Sequence, residues 1–90
     1  MKHKYVRHSK LGIAIFPADT FLSHANIAEA MRYAMYEAPP NVDEGKVISA
    51  GFVWIEKDRV IVEGKSESIG IGQAPDDAEA IKHQLGYFKR

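Results

Sequence analysis

The stretch Val47-Ile48-Ser49-Ala50-Gly51-Phe52-Val53-Trp54-Ile55-Glu56, followed by Lys57-Asp58 and then Arg59-Val60-Ile61-Val62-Glu63-Gly64-Lys65-Ser66-Glu67-Ser68-Ile69, decides the fold. Both halves are rich in β-branched and aromatic residues, and a short polar pair separates them, which is the pattern of a β-hairpin. With Lys57-Asp58 as a two-residue loop, Glu56 faces Arg59, Ile55 faces Val60 and Val53 faces Val62. A four-residue loop keeps the same parity, whereas an odd loop mixes the faces. Because strand side chains alternate, the ribbon has two unlike sides. One carries Val47, Ser49, Gly51, Val53 and Ile55 with Val60, Val62, Gly64, Ser66 and Ser68, and bears no charge. The other carries Ile48, Ala50, Phe52, Trp54 and Glu56 with Arg59, Ile61, Glu63, Lys65 and Glu67. The charge-free side is expected to face the core. Phe52, Trp54 and Ile61 are then left toward solvent, with Ala14 and Phe16 joining them from the first strand; the alternative is that the N-terminal segment or the tail Gly86-Tyr87-Phe88 folds over this face and buries it.

Working outward, residues 5–16 read as a strand whose best part is Leu11 to Phe16, ended by Pro17, which cannot donate to a ladder. A bend at Lys10 to Gly12, making a short hairpin inside residues 4–16, is the alternative. Residues 23–38 read as a helix. Asp19, Thr20 and Ser23 are competent N-caps, and Ile27, Met31, Ala34, Met35 and Ala38 form one stripe before Pro39-Pro40. Residues 75–85 read as a second helix. Asp76, Asp77 and Glu79 lie at the positive end of its dipole, and Ala78, Ile81 and Leu85 form its apolar stripe. The order β-α-β-β-α predicts an α+β two-layer sandwich. It has a three-stranded antiparallel sheet, order 1-3-2, and both helices on one face. One domain over residues 1–90 is expected, with residues 1–4 and 87–90 flexible.

Composition narrows the function classes. Twelve Lys+Arg balance twelve Asp+Glu, which excludes a strongly basic nucleic-acid carrier or an acidic disordered tail as a description of the whole chain. There is no cysteine, so there is no thiolate metal site, disulfide or thiol nucleophile. No apolar run approaches a membrane span and none follows the basic start as in a secretory signal, so a cytoplasmic location is expected. The first ten residues hold Lys2, Lys4, Arg7 and Lys10 with no acid, a candidate contact for phosphates or an acidic surface.

Catalytic patterns are weak. His3, His8, His24 and His83 do not have the spacing of known zinc motifs. Ser9 beside His8 cannot form a nucleophile–base pair, because neighbours on a strand point apart. Gly70-Ile71-Gly72 lacks the lysine of a phosphate loop, and Asp76 and Asp77 repel a phosphate there. No cofactor, metal or small-molecule substrate is indicated. A small enzyme requires a cleft lined by His8 or His24 with a carboxylate such as Asp19 or Glu67. The leading expectation is a protein-interaction module, binding a macromolecular partner or a second copy of itself through Phe16, Phe52, Trp54 and Ile61. The alternative is an RNA or single-stranded DNA binder. The element order is similar to an RNA-recognition motif lacking its last strand, with Phe52 and Trp54 as stacking aromatics. That motif's basic-glycine-aromatic string is missing, and Glu56, Glu63 and Glu67 on the same side oppose a polyanion.

The strings Tyr5 to Gly12, Val47 to Phe52 and Glu63 to Ser68, with Pro75-Asp76-Asp77-Ala78, resemble those of small bacterial reading frames carried by prophages and other mobile elements. The resemblance implies an accessory protein that binds a macromolecule of the host or the element. It carries no catalytic residues over.

Overall fold

A computed structural model describes residues 2–36, 43–57 and 59–86. The elements are β1 (Lys2–His8), β2 (Gly12–Pro17), α1 (His24–Tyr36), β3 (Val47–Glu56), β4 (Arg59–Glu63), β5 (Lys65–Ser66), β6 (Ile71–Gly72) and α2 (Asp77–Gln84). The α+β class is as expected. The main sheet, however, has four antiparallel strands in the order β2-β1-β3-β4, not three in the order 1-3-2. A two-stranded ribbon, β5-β6, accompanies it.

The fourth strand comes from the segment expected to be one strand over residues 5–16. It is a hairpin, the alternative reading of residues 4–16, in register from His3 opposite Pro17 to His8 opposite Gly12. The bend at Ser9–Leu11 is held by the His8 imidazole, whose Nδ1 accepts the backbone N–H groups of Lys10 (3.0 Å) and Leu11 (3.2 Å). Gly12 leaves the bend with φ +86°, a conformation that L side chains rarely adopt. Lys2, His3 and Lys4 therefore belong to a central strand rather than a flexible start.

The β3–β4 hairpin has the expected register, from Glu56 opposite Arg59 to Val53 opposite Val62. It is shorter than expected, because at Gly64 (φ +68°) the chain leaves the sheet and enters β5. Where β1 meets β3, the register shifts between Arg7 and His8: Arg7 faces Ser49, but His8 faces Val47. Ile48 is the extra residue of this bulge, and Val47 consequently leaves the side expected for it.

The helices do not share one face. Tyr5 and Val6 are consecutive in β1 and both fully buried, so both sides of the central strands need cover. Tyr5 packs with Val53, Val60 and Ile81 of α2. Val6 packs with Phe16, Ala50 and Met31 of α1, and Ile69 and Ile71 of the β5-β6 segment lie against the same cluster. The expectation of both helices on one face rested on the hairpin's charge-free side alone. β1, otherwise charged or polar, buries one large side chain on each side, Tyr5 and Val6. Each fully buried Val or Ile contributes roughly 1.5–3 kcal/mol, so neither cluster is dispensable.

Helix α1 starts one residue later than expected, behind a reciprocal cap. The Ser23 N–H donates to Asn26 Oδ1 (2.9 Å) and the Asn26 N–H to Ser23 Oγ (3.1 Å). Its stripe buries Met31 and Met35, while Ala34 is exposed. Ala38, Pro39-Pro40, Asn41, Asp58 and the tail from Tyr87 lie outside the described residues. No helix among the described residues is long and apolar enough to cross a membrane.

Candidate interaction face

On the α1 side, the ladder sets side chains in rows across the strands. One row runs Lys2, Trp54, Ile61; the next runs Phe16, Lys4, Phe52, Glu63; a third runs Ala14, Val6, Ala50. Met31 covers the third row. The second is capped by His24, the first residue of α1. Its Nε2 donates to the Gly51 carbonyl at 2.7 Å. Its ring stands edge-on to Phe16 at 6.0 Å and to Phe52 at 5.3 Å. Phe16 is buried as a result, and Phe52 is half-buried, with Lys2 Nζ lying 4.6 Å from its ring centroid.

Among the described residues, no such lid covers the first row. Trp54 keeps 38% of its surface in solvent and Ile61 42%. The Trp54 indole N–H donates to Glu63 Oε1 at 3.1 Å, which steadies the ring over the row. Lys4 Nζ donates to the Leu22 carbonyl at 3.0 Å, drawing the β2–α1 loop over the second row. That loop presents Leu22 and a fully exposed Phe21. Of the four apolar residues expected to form a surface, Trp54 and Ile61 stand open, Phe52 forms a shoulder and Phe16 lies beneath α1. Phe21 and Leu22 were missed. They precede the helix without periodicity, and only their size in a polar loop hinted at a role.

The four cations do not form one patch. Lys2 and Lys4 lie on the α1 side, Arg7 on the α2 side, and Lys10 in the bend, 3.9 Å from Asp43. Arg7 is engaged by two carboxylates, Asp76 (3.0 Å) and Asp77 (2.9 Å).

The α2 side contains the densest polar cluster. Asp77, fully buried, accepts four hydrogen bonds: from Tyr5 Oη (2.5 Å), Ser49 Oγ (2.8 Å), the Ala74 N–H (2.8 Å) and Arg7 Nη1 (2.9 Å). Burial pushes its pKa up, but the donors together outweigh burial and hold it below the usual carboxylate value. Burial, and then the Asp77 carboxylate, push the Tyr5 phenol far above its ordinary value. Asp76 is also lowered, chiefly by its bond to Arg7. The sequence marks Asp77 only as a first-turn acid; the convergence of Tyr5, Ser49 and Arg7 on it comes from register. With no solvent-accessible surface, Asp77 pins α2 to β1 and β3 and offers nothing to a substrate.

A cavity of about 460 Å³ is lined by His8, Arg32, Met35, Lys46 and the carboxylates Glu29 and Glu44, not by Asp19 or Glu67. His8 Nδ1 is occupied there as the acceptor of two backbone N–H groups. Glu29 is held by Arg32 at 3.2 Å. Among the described residues, no cluster of three His, Asp or Glu side chains is arranged to hold a metal ion.

No protein-family model, curated protein or solved structure matches the chain.

Proposed function

We propose that the protein is a protein-interaction module that engages a macromolecular partner through the uncovered end of the α1 side, with Trp54 and Ile61 at its centre and Phe52, Leu22 and Phe21 around them. One observation carries this reading: α1 and the β5-β6 segment cover part of a face whose remaining row is an indole and an isoleucine in solvent. Aromatic anchors supply much of the energy of protein interfaces. The resemblance to reading frames of mobile elements fits a small accessory binder of this kind. The geometry favours a protein over a nucleic acid. Glu63 sits against Trp54, and the stacking aromatic Phe52 is shared with His24 and Lys2.

The test is a photo-crosslinking residue placed at position 54, with another at the opposite-facing, buried position 53, in the native cell. Crosslinks from position 54 to a protein, absent from position 53, are expected. No protein adduct at position 54, or recovery of nucleic acid alone, overturns the reading.

A further inference from the structure

The two outer edges of the sheet are finished differently. On β2, the Gln84 side-chain amide closes the edge: the Ile13 N–H donates to Oε1 at 2.9 Å, and Nε2 donates to the Ile13 carbonyl at 2.7 Å. Pro17 ends the same strand without an N–H. The opposite edge, β4, is the terminal strand of the sheet and is five residues of high strand propensity, Arg59-Val60-Ile61-Val62-Glu63. An open edge of this composition is a template for another strand.

We infer that β4 pairs antiparallel with β4 of a second copy of this chain, about a two-fold axis at Ile61, joining the two sheets into one eight-stranded sheet. The register follows from backbone direction and charge. The Glu63 carbonyl points toward β3, lying 2.9 Å from where a side chain on Gly51 would begin. By alternation, Arg59, Ile61 and Glu63 turn their backbone groups inward, and Val60 and Val62 turn theirs to the outer edge. Centring on Ile61 sets Val60 opposite Val62 of the other copy, so the outward groups meet in hydrogen-bonded pairs. The same register sets Arg59 opposite Glu63 of the other copy, twice. Opposite charges directly across strands stabilise, and like charges destabilise. Arg59 binds Glu56 across the hairpin, so Glu63 of the other copy would join a row of charges already formed there. A shift of one residue in either direction loses both charge matches. The chain's zero net charge sets no long-range repulsion against self-association. The pairing deepens the proposed function, on which it rests for its consequence: it joins Trp54 and Ile61 of both copies into one continuous apolar strip.

Sedimentation of the full chain across a concentration series tests this. A reversible dimer is expected. Arg59→Glu and Glu63→Arg should each weaken it about tenfold or more, since each places two like-charge pairs at the seam. An equimolar mixture of the two variants, and the double variant R59E/E63R, should recover it. Circular dichroism confirms that each chain is folded. A chain that stays monomeric at all concentrations, or a dimer indifferent to both reversals, overturns the edge pairing. Crosslinking from position 54 to a different protein is judged separately, so the interaction reading can survive the failure of this one.

Discussion

Ile81 and Ile61 are the same side chain on opposite sides of one sheet, and they differ in everything that follows from place. Ile81 is fully enclosed by Tyr5, Val53 and Val60 beneath α2, whereas Ile61 stands beside Trp54 with 42% of its surface in water. The α2 side is sealed and anchored by a carboxylate with four donors. The α1 side is covered over part of its length and then stops. Among the described residues, the 13-residue α1 and the 8-residue α2 leave part of the α1 side uncovered, and the row of Trp54 and Ile61 lies there.

The strongest way to break this contrast is at Asp77. Asp77→Ala strands the Tyr5 hydroxyl, Ser49 hydroxyl, Ala74 N–H and Arg7 guanidinium at once, and should cost about 3–5 kcal/mol in urea unfolding. Asp77→Asn keeps an acceptor oxygen and should cost less. Next comes the isoleucine pair. Ile81→Ala should lose about 2–5 kcal/mol through transfer and cavity terms, and Ile61→Ala under about 1 kcal/mol. Equal losses at the two sites would mean that the two sides are equally buried.

Acidity sharpens the comparison. Asp77 and Asp76 are lowered in the folded chain, so their contribution is present above the ordinary carboxylate range and is lost as pH falls through and below it. Tyr5 is raised, so its contribution is present below the ordinary phenol value, about 10, and fades as pH rises beyond it. The stability profile should therefore drop at both ends. Asp77→Asn should flatten the acid limb and Tyr5→Phe the alkaline one, as followed by thermal unfolding against pH. The smallest effect is expected at Gln84→Ala. It frees the Ile13 backbone groups at the β2 edge and should cost about 1 kcal/mol, with no change in partner binding.

The local signals in the sequence were sound where one element decided the outcome. The β3–β4 register followed from the alternation around Lys57-Asp58, and the end of α2 from Gly86, whereas α2 begins at Asp77 and not at Pro75. The bend at Lys10 to Gly12 was legible only as an alternative to one strand, because it is fixed by the His8 ring folding back on Lys10 and Leu11, which no periodicity signals. What escaped was settled between distant elements. Once β1 and β2 became a hairpin, β1 moved to the centre of the sheet, and Lys2 and Lys4 parted from Arg7 onto opposite sides. The bulge at Ile48 then turned Val47 toward α1. The alternating apolar and charged side of β3 and β4 was legible as a surface in part. Trp54 and Ile61 were placed on it correctly. The burial of Phe16 and Phe52 by His24 depends on where α1 begins, which a list of competent caps left open among Asp19, Thr20 and Ser23.

The chain's single tryptophan makes the central claim directly measurable. Acrylamide quenching of Trp54 fluorescence, in dilute chain and again with the crosslinked partner purified and added back, should show an open, readily quenched indole that becomes protected on binding. An indole already shielded in the dilute folded chain, or one whose quenching is unchanged by the bound partner, would contradict the account.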